Sequence, residues 1–260
     1  MEIILFLLLG VGVGTFGSLV GIGGGLICVP VFIFFLSDGG IIPYFHTAAS
    51  IVGTSLFIVM VNSTSGTLAY LRQGRVYFKA AVPFALATLP GAFLGSYIAD
   101  NFTGQQLNFY FGAFLAIIAV IMYWNSTHTK KSDVLKIPAG FTFNKKIGIG
   151  SSLGVGVISS MFGVGGGVIH VPLMVYVLNF PVHIATATSN FILAVCSMVG
   201  VVSHLILSHI VWVPAISISI GAAIGAQIGA KISRKTKSKV ILMLLSISMF
   251  ALGLKLMFGA

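Results

Sequence analysis

Apolar residues fall into eight long runs separated by short polar stretches, at roughly 3–36, 46–71, 76–99, 104–124, 147–180, 184–208, 210–230 and 240–258. A helix needs about 20 apolar residues to cross the hydrocarbon of a bilayer, and the runs have about that length or more. The pattern predicts an all-α polytopic membrane protein. The first and fifth runs are longer than the rest, and each holds three consecutive glycines near its middle. Glycine costs a helix about 1 kcal/mol relative to alanine, so three in a row should break it. Each long run is therefore expected to be two short helices joined at the glycines.

The glycines belong to a repeated signature. Gly17-Ser-Leu-Val-Gly-Ile-Gly-Gly-Gly-Leu-Ile-Cys-Val-Pro30 returns 142 residues later as Ser159-Ser-Met-Phe-Gly-Val-Gly-Gly-Gly-Val-Ile-His-Val-Pro172, with 8 of 14 positions identical. Further on the offset falls to 134: Thr54-Ser55 meets Thr188-Ser189, Phe57 meets Phe191, Gly66 meets Gly200, and Gly91, Ala92 and Gly95 meet Gly225, Ala226 and Gly229. One transmembrane domain over 1–260 then consists of repeat one (3–124), a polar linker (125–146) and repeat two (147–258).

Composition agrees: 57% of residues are hydrophobic and 7% charged, with mean hydropathy +1.10. Soluble domains carry about 25% charged residues. The net charge of +10 would suggest nucleic acid in a soluble chain, but 13 of the 14 Lys and Arg lie in three clusters between apolar runs. That is the pattern of cytoplasmic loops facing anionic lipid, so membrane lipid, and not nucleic acid, is the expected partner. Cys28 and Cys196 lack CxxC partners, which leaves no disulfide scaffold or metal site. No basic residue precedes the first apolar run, which is expected to remain as a membrane segment rather than be cleaved.

The clusters also orient the chain. Arg72, Arg75 and Lys79 follow the second run, whereas the matching loop of repeat two, near 206–213, has no Lys or Arg. The next loop of repeat one carries only Asp100, while its counterpart carries Lys231, Arg234, Lys235, Lys237 and Lys239. The bias swaps between repeats, so the repeats should be inverted relative to each other. With Lys130, Lys131, Lys136, Lys145 and Lys146 on the same side, each broken run must cross an even number of times. Both termini then lie outside, as do Glu2, Asp38 and Asp100, and Lys255, near the outer end of the last run, is the one misfit.

Non-helical backbone at membrane depth survives only where protein buries it or a cavity needs it. Gly21–Gly25 and Gly163–Gly167 should therefore face each other at the centre. A helix starting after each triple glycine points unpaired N–H groups there, a favourable place for an anion. Gly23, Gly24, Gly25, Gly165, Gly166 and Gly167 are the backbone candidates for a substrate site. Thr54, Ser55, Thr188, Ser189 and Asn190 are the side-chain candidates; bonding to their own helix or across helices is the bland alternative. His170, in the place of Cys28, either adds a titratable contact or is satisfied by a neighbouring backbone group. Asn62 fits a site or helix glue equally well. His46 and His183 are expected at interfaces or caps, and His204 and His209 near the outer surface. Gly91, Gly95, Gly221, Gly225 and Gly229 have the spacing of close helix packing, and Arg72 and Arg75 are read as ordinary orientation charges. No Asp, Glu, Lys or Arg sits in the middle of a run, which disfavours a carboxylate proton relay or a cation pump. There is no Walker A pattern, no paired carboxylates and no Ser–His–Asp set, so neither a cofactor nor an enzymatic centre is expected.

The paired Gly-x-Gly-Gly-Gly…Val-Pro signatures, Gly53-Thr-Ser-Leu, Ala187-Thr-Ser-Asn and Pro90-Gly-Ala-x-x-Gly95 resemble the sulfite exporter TauE/SafE family. The resemblance implies a bacterial or archaeal inner-membrane transporter of small sulfur-containing anions, sulfite or organosulfonates, exporting more often than importing. The residues themselves point to alternating access around a central anion site. A carrier of another small anion such as a carboxylate or thiosulfate, an anion channel, and a membrane enzyme or assembly subunit are the alternatives. A homodimer is one assembly left open.

Overall fold

The computed structural model describes residues 2–36, 44–45, 47–99, 104–128, 133–138, 140–162 and 165–258. Asp38, His46, Asp100, Lys130, Lys131 and Gly163 lie outside the described residues. Most of the rest is helical: α1 (Glu2–Val20), α2 (Gly25–Phe35), α3 (Ala48–Arg72), α4 (Phe78–Ala99), α5 (Gly104–His128), α6 (Lys145–Phe162), α7 (Gly167–Pro172), α8 (Val182–Ile206), α9 (Trp212–Lys235) and α10 (Ser238–Phe258). A π-helical turn, Leu173–Val177, extends α7. Five helices, α1, α3, α8, α9 and α10, contain stretches long and apolar enough to cross a membrane by length and composition. α4 and α5 have shorter apolar stretches, Phe78–Leu94 and Gly112–Trp124.

Both long runs break at their glycines, and the two pieces of each are unequal. α1 has 19 residues and α2 has 11, or about 28 and 16 Å at 1.5 Å per residue. Gly21, Gly23 and Gly24 have φ of 89°, 73° and 83°, and Gly165 has 72°. L-residues avoid this left-handed region, where glycine carries no Cβ penalty. The chain turns back at the break. Tyr44, whose N–H donates to Leu36 O (2.8 Å) just past α2, donates through its hydroxyl to Glu2 Oε2 (2.9 Å) at the start of α1.

The repeats pack by exchange. α1 lies on α9 and α6 lies on α4, each the first helix of one repeat on the fourth of the other. α3 packs on α8, and α5 on α10. These last pairs join equivalent helices and run antiparallel. Gly53 near the start of α3 lies against His204 and His209, and Gly112 of α5 lies against Gly253 of α10. The α1–α9 seam runs in parallel, with Gly221 on Leu7 O, Gly225 on Val11 O and Gly229 on Thr15 O. A Cβ at any of these would collide with the facing backbone, so the packing reading of Gly221, Gly225 and Gly229 holds, as it does for Gly91 against Leu153 O. The other face of α9 presents Ile216, Ile220, Ile224, Ile228 and Ile232, all exposed. A five-isoleucine stripe four residues apart suits lipid, since soluble monomers rarely expose large contiguous apolar patches.

Contacts gather the charge clusters at one end. Gln73 Nε2 donates to Ala230 O (3.2 Å) and Ser238 N donates to Asp133 Oδ1 (2.6 Å), which joins the loop after α3, the linker and the α9–α10 loop. We call this the basic end and the opposite one, near His204 and His209, the histidine end.

Candidate functional site

The two breaks meet. Gly167, at the start of α7, lies against Gly21 O and Ile22 Cα, where a methyl group would come within 2.8 Å of the Ile22 Cα. Methyl groups on Gly23 and on Gly165 would both run into the same two side chains, Val59 of α3 and Leu193 of α8. Those two residues are related by the 134-residue offset, and Gly23 and Gly165 by the 142-residue one. One residue on, the match is within each repeat: Gly24 faces Val13, and Gly166 faces Val155. The facing expected from sequence is thus present in the described residues.

Around this centre the threonines act as pins between repeats. Thr54 Oγ1 accepts from Val211 N (3.0 Å) and Thr188 Oγ1 accepts from Tyr77 N (3.1 Å). Each holds the loop of the other repeat, away from the glycines. Ser189 does reach the centre, where its hydroxyl donates to Gly21 O (2.9 Å). Ser55 is fully buried, with no partner for its Oγ among the described residues. Asn190 Nδ2 donates to Thr186 O (3.0 Å), whereas its Oδ1 has no described partner and faces Gly66 beside Ser18 Oγ.

His170 is fully buried and turned back on its own repeat. Nδ1 lies 3.1 Å from Gly166 O and Nε2 lies 3.2 Å from Ser152 Oγ. Both ring nitrogens are engaged, which matches the bland alternative for this residue. At the other signature Cys28 is buried among Phe32, Val29 and their neighbours.

The state of two residues goes beyond what the sequence shows. Asn62 is fully buried on α3 and neither of its amide atoms has a hydrogen-bond partner among the described residues; Ser63 Oγ is alike. Buried polar atoms are paired in nine cases of ten or more, so a cluster beside a helix break is informative. Methyl groups on Gly17 and Gly24 would come 3.0 and 3.6 Å from Asn62 Nδ2, and one on Gly23 would come 2.8 Å from Ser63 Oγ.

The second is Arg75, 1% exposed and the largest fully buried side chain described. Its Nη2 donates to His183 O (3.0 Å) and Ser233 Oγ (3.2 Å) and lies 3.2 Å from His183 Nδ1, while Nη1 donates to Gln73 Oε1 (3.0 Å). The guanidinium carbon stands 4.8 Å from the Tyr70 ring centroid, and Tyr70 OH donates to Ser18 O (2.7 Å). Arg75 therefore latches the ends of α3, α8 and α9 together and is not a solvated orientation charge. Burial draws its pKa below the ordinary arginine value. Asp133 does not neutralise it; it accepts the Ser238 N–H, which holds its carboxyl below the usual range, and lies 3.9 Å from His183 Nε2. His183, expected at an interface or cap, is buried in this latch. Above it, Ala69, Arg72, Gln73, Gln227, Lys231, Arg234 and Lys235 line a cavity of about 670 Å³ at the basic end.

Known proteins match along nearly the whole chain. The family model described as "Sulfite exporter TauE/SafE" covers residues 6–256. "Probable membrane transporter protein YunE" of Bacillus subtilis is 32% identical over 99% of this chain and 98% of its own length. A "Probable membrane transporter protein" of Methanocaldococcus jannaschii is 30% identical over 77% of this chain and 72% of its own. One from Xylella fastidiosa (strain Temecula1) is 28% identical over 68% and 64%. No solved structure matches the chain significantly. With helices fit to span a membrane and a match from end to end, the chain is a membrane transporter protein that belongs to the sulfite exporter TauE/SafE family.

Proposed function

We propose that the chain is a secondary transporter that exports small sulfur-containing anions, such as sulfite or organosulfonates, across a bacterial or archaeal inner membrane. In this reading two inverted repeats alternate access to a site at the paired glycine breaks. The observation that carries it is the meeting of the breaks: Gly167 on Gly21, with Gly23 and Gly165 both on Val59 and Leu193. Broken helices at a repeat interface are where transporters bind substrate. The antiparallel α3–α8 and α5–α10 pairs support inversion, because equivalent helices run oppositely only about an axis lying across them. The gathered cations support a cytoplasmic basic end, with both termini outside. The family description supports the sulfur chemistry, and the interior, without mid-span charges, suits an anion held by N–H and O–H donors.

The test is efflux from proteoliposomes loaded with labelled sulfite. The expected result is release that speeds up when unlabelled sulfite is added outside, since a carrier exchanges. Release that ignores external sulfite would make it a channel, and faster movement of acetate than of sulfite or isethionate would overturn the substrate class.

A further inference from the structure

The two breaks share a backbone and differ in chemistry. At the first, Asn62 and Ser63 present unpartnered polar atoms to Gly17, Gly23 and Gly24. α2 begins there at Gly25 with no side-chain cap; Ile27 N and Cys28 N already donate to Gly24 O, and the two N–H groups before them, of Gly25 and Leu26, have no acceptor within the helix. At the second, Cys196 stands where Asn62 would, and its thiol donates to Thr88 Oγ1 (3.0 Å). Ser197 stands where Ser63 would and donates to Leu193 O (2.6 Å) of its own helix. His170 is engaged at both nitrogens. The side chains of the second break that match Asn62 and Ser63 are bonded locally, and those of the first break are not.

The space around the breaks is divided in the complementary way. A cavity of about 20 Å³, lined in part by Leu56, Gly165, Gly166, Cys196, Ser197 and Gly200, opens beside the second break. It has room for about one water. Its counterpart under the two offsets is Asn190, Gly23, Gly24, Asn62, Ser63 and Gly66. That set is closed and fully buried at Asn62, Ser63 and Asn190. It lies on the half of α3 that leads to the basic end, where Ala69, three residues beyond Gly66, already lines the large basic cavity.

We infer that the substrate's oxyanion is bound at the first break alone. The Asn62 amide N–H, the Ser63 hydroxyl and the first N–H groups of α2 hold it, and the site opens towards the basic end. The second break supplies shape without a polar contact. This inference rests on the anion-transport reading above. No carboxylate in the sequence of α1, α2 beyond Glu2, or of α3 competes for these donors. The ligand class is a small oxyanion, a sulfite or sulfonate group, whose oxygens accept from converging donors.

The experiment is thermal unfolding of the purified full chain, titrated with sodium sulfite and sodium isethionate, for Asn62→Leu, Ser63→Ala, Cys196→Leu and Ser197→Ala. A ligand that binds only the folded state raises the midpoint. Hydrogen bonds to charged groups set the scale. Asn62→Leu is expected to weaken apparent affinity about ten- to a hundredfold and Ser63→Ala up to about tenfold. The two repeat-two variants should stay within about twofold of wild type. Without ligand, Asn62→Leu should melt no lower than wild type, because an apolar side chain of similar shape replaces an unpaired buried amide; that separates a lost ligand from a damaged fold. If Asn62→Leu does not fold, Ser63→Ala against Ser197→Ala decides the matter. Unchanged affinity in Asn62→Leu overturns the first-break site and leaves the transporter reading standing. Equal losses in the Cys196 and Asn62 variants overturn its one-sidedness. A midpoint raised by sodium gluconate and lost in Asn62→Leu replaces the anion with a cation. A wild type that answers acetate and no sulfur anion, with that answer lost in Asn62→Leu, keeps the site and overturns the sulfur assignment. A wild type that answers no anion overturns both.

Discussion

Val59 and Leu193 hold matching places in the two repeats and do the same thing, each packing against both glycine breaks. Asn62 and Cys196 also hold matching places, yet one is an unpaired buried amide and the other a thiol already bonded to Thr88. The contrast recurs at the ends. Arg75 and His209 are matched by the 134-residue offset, as are Tyr70 and His204. Arg75 sits over Tyr70 as a buried latch, while the rings of His204 and His209 meet Nδ1 to Nδ1 at 3.3 Å and are half-buried. The apolar contacts at the breaks are alike in the two repeats, and the polar positions Asn62 and Arg75 are not. A duplicated scaffold gives two equivalent ways to pack, and side chains that differ give each way its own chemistry.

The sharpest way to break the comparison is at the contact between breaks. Gly167→Val would drive a side chain into the backbone of Gly21 and Ile22. A backbone collision costs at least about 3 kcal/mol, so little monodisperse protein should survive size-exclusion chromatography. A well-folded variant would show that the two breaks do not depend on each other. The ends come next. Arg75→Ala leaves His183 O, Ser233 and Gln73 without their donor, an expected loss of about 2–4 kcal/mol in thermal unfolding. His209→Ala should cost less than about 1 kcal/mol; similar losses would erase the difference between ends. The smallest effect tests what is shared. Thr54→Val and Thr188→Val each remove one bond to a loop amide, about 1 kcal/mol apiece, and clearly unequal losses would contradict the matched pinning.

Much of the fold is legible in the sequence because membrane helices are written in long apolar runs. The run at 46–71 became Ala48–Arg72 and that at 240–258 became Ser238–Phe258. Triple glycine marks both breaks, and past the first of them Tyr44, bonded to Leu36 O after α2, stands at Glu2 at the start of α1. The inequality of α1 and α2 was less legible, because nothing local limits α1 before Gly21. Side-chain roles were less legible still. Thr54 and Thr188 looked like site residues because they follow the signature, but their direction depends on loops more than 100 residues away. Arg75 looked like its neighbour Arg72; only the closing of α8 and α9 over it makes it buried. The one available signal was its alignment with His209 next to that of Tyr70 with His204. Asn62 stands out in the sequence as a polar residue deep in a run, fit for a site or for helix glue; that its amide is unpaired is a property of everything around it.

The absence of charged residues from the middle of the apolar runs has an electrical consequence. No Asp, Glu, Lys or Arg lies mid-span, so under the proposed function an empty carrier reorients without moving formal charge across the field. Only the loaded step is electrogenic. An elementary charge crossing the whole membrane exchanges about 2.3 kcal/mol per 100 mV, so an anion travelling from a midplane site to one face exchanges about half of that, a bias of about sevenfold. The voltage dependence of the transport current then measures the charge on the cargo, and a monoanion can be told from a dianion without knowing its chemical identity.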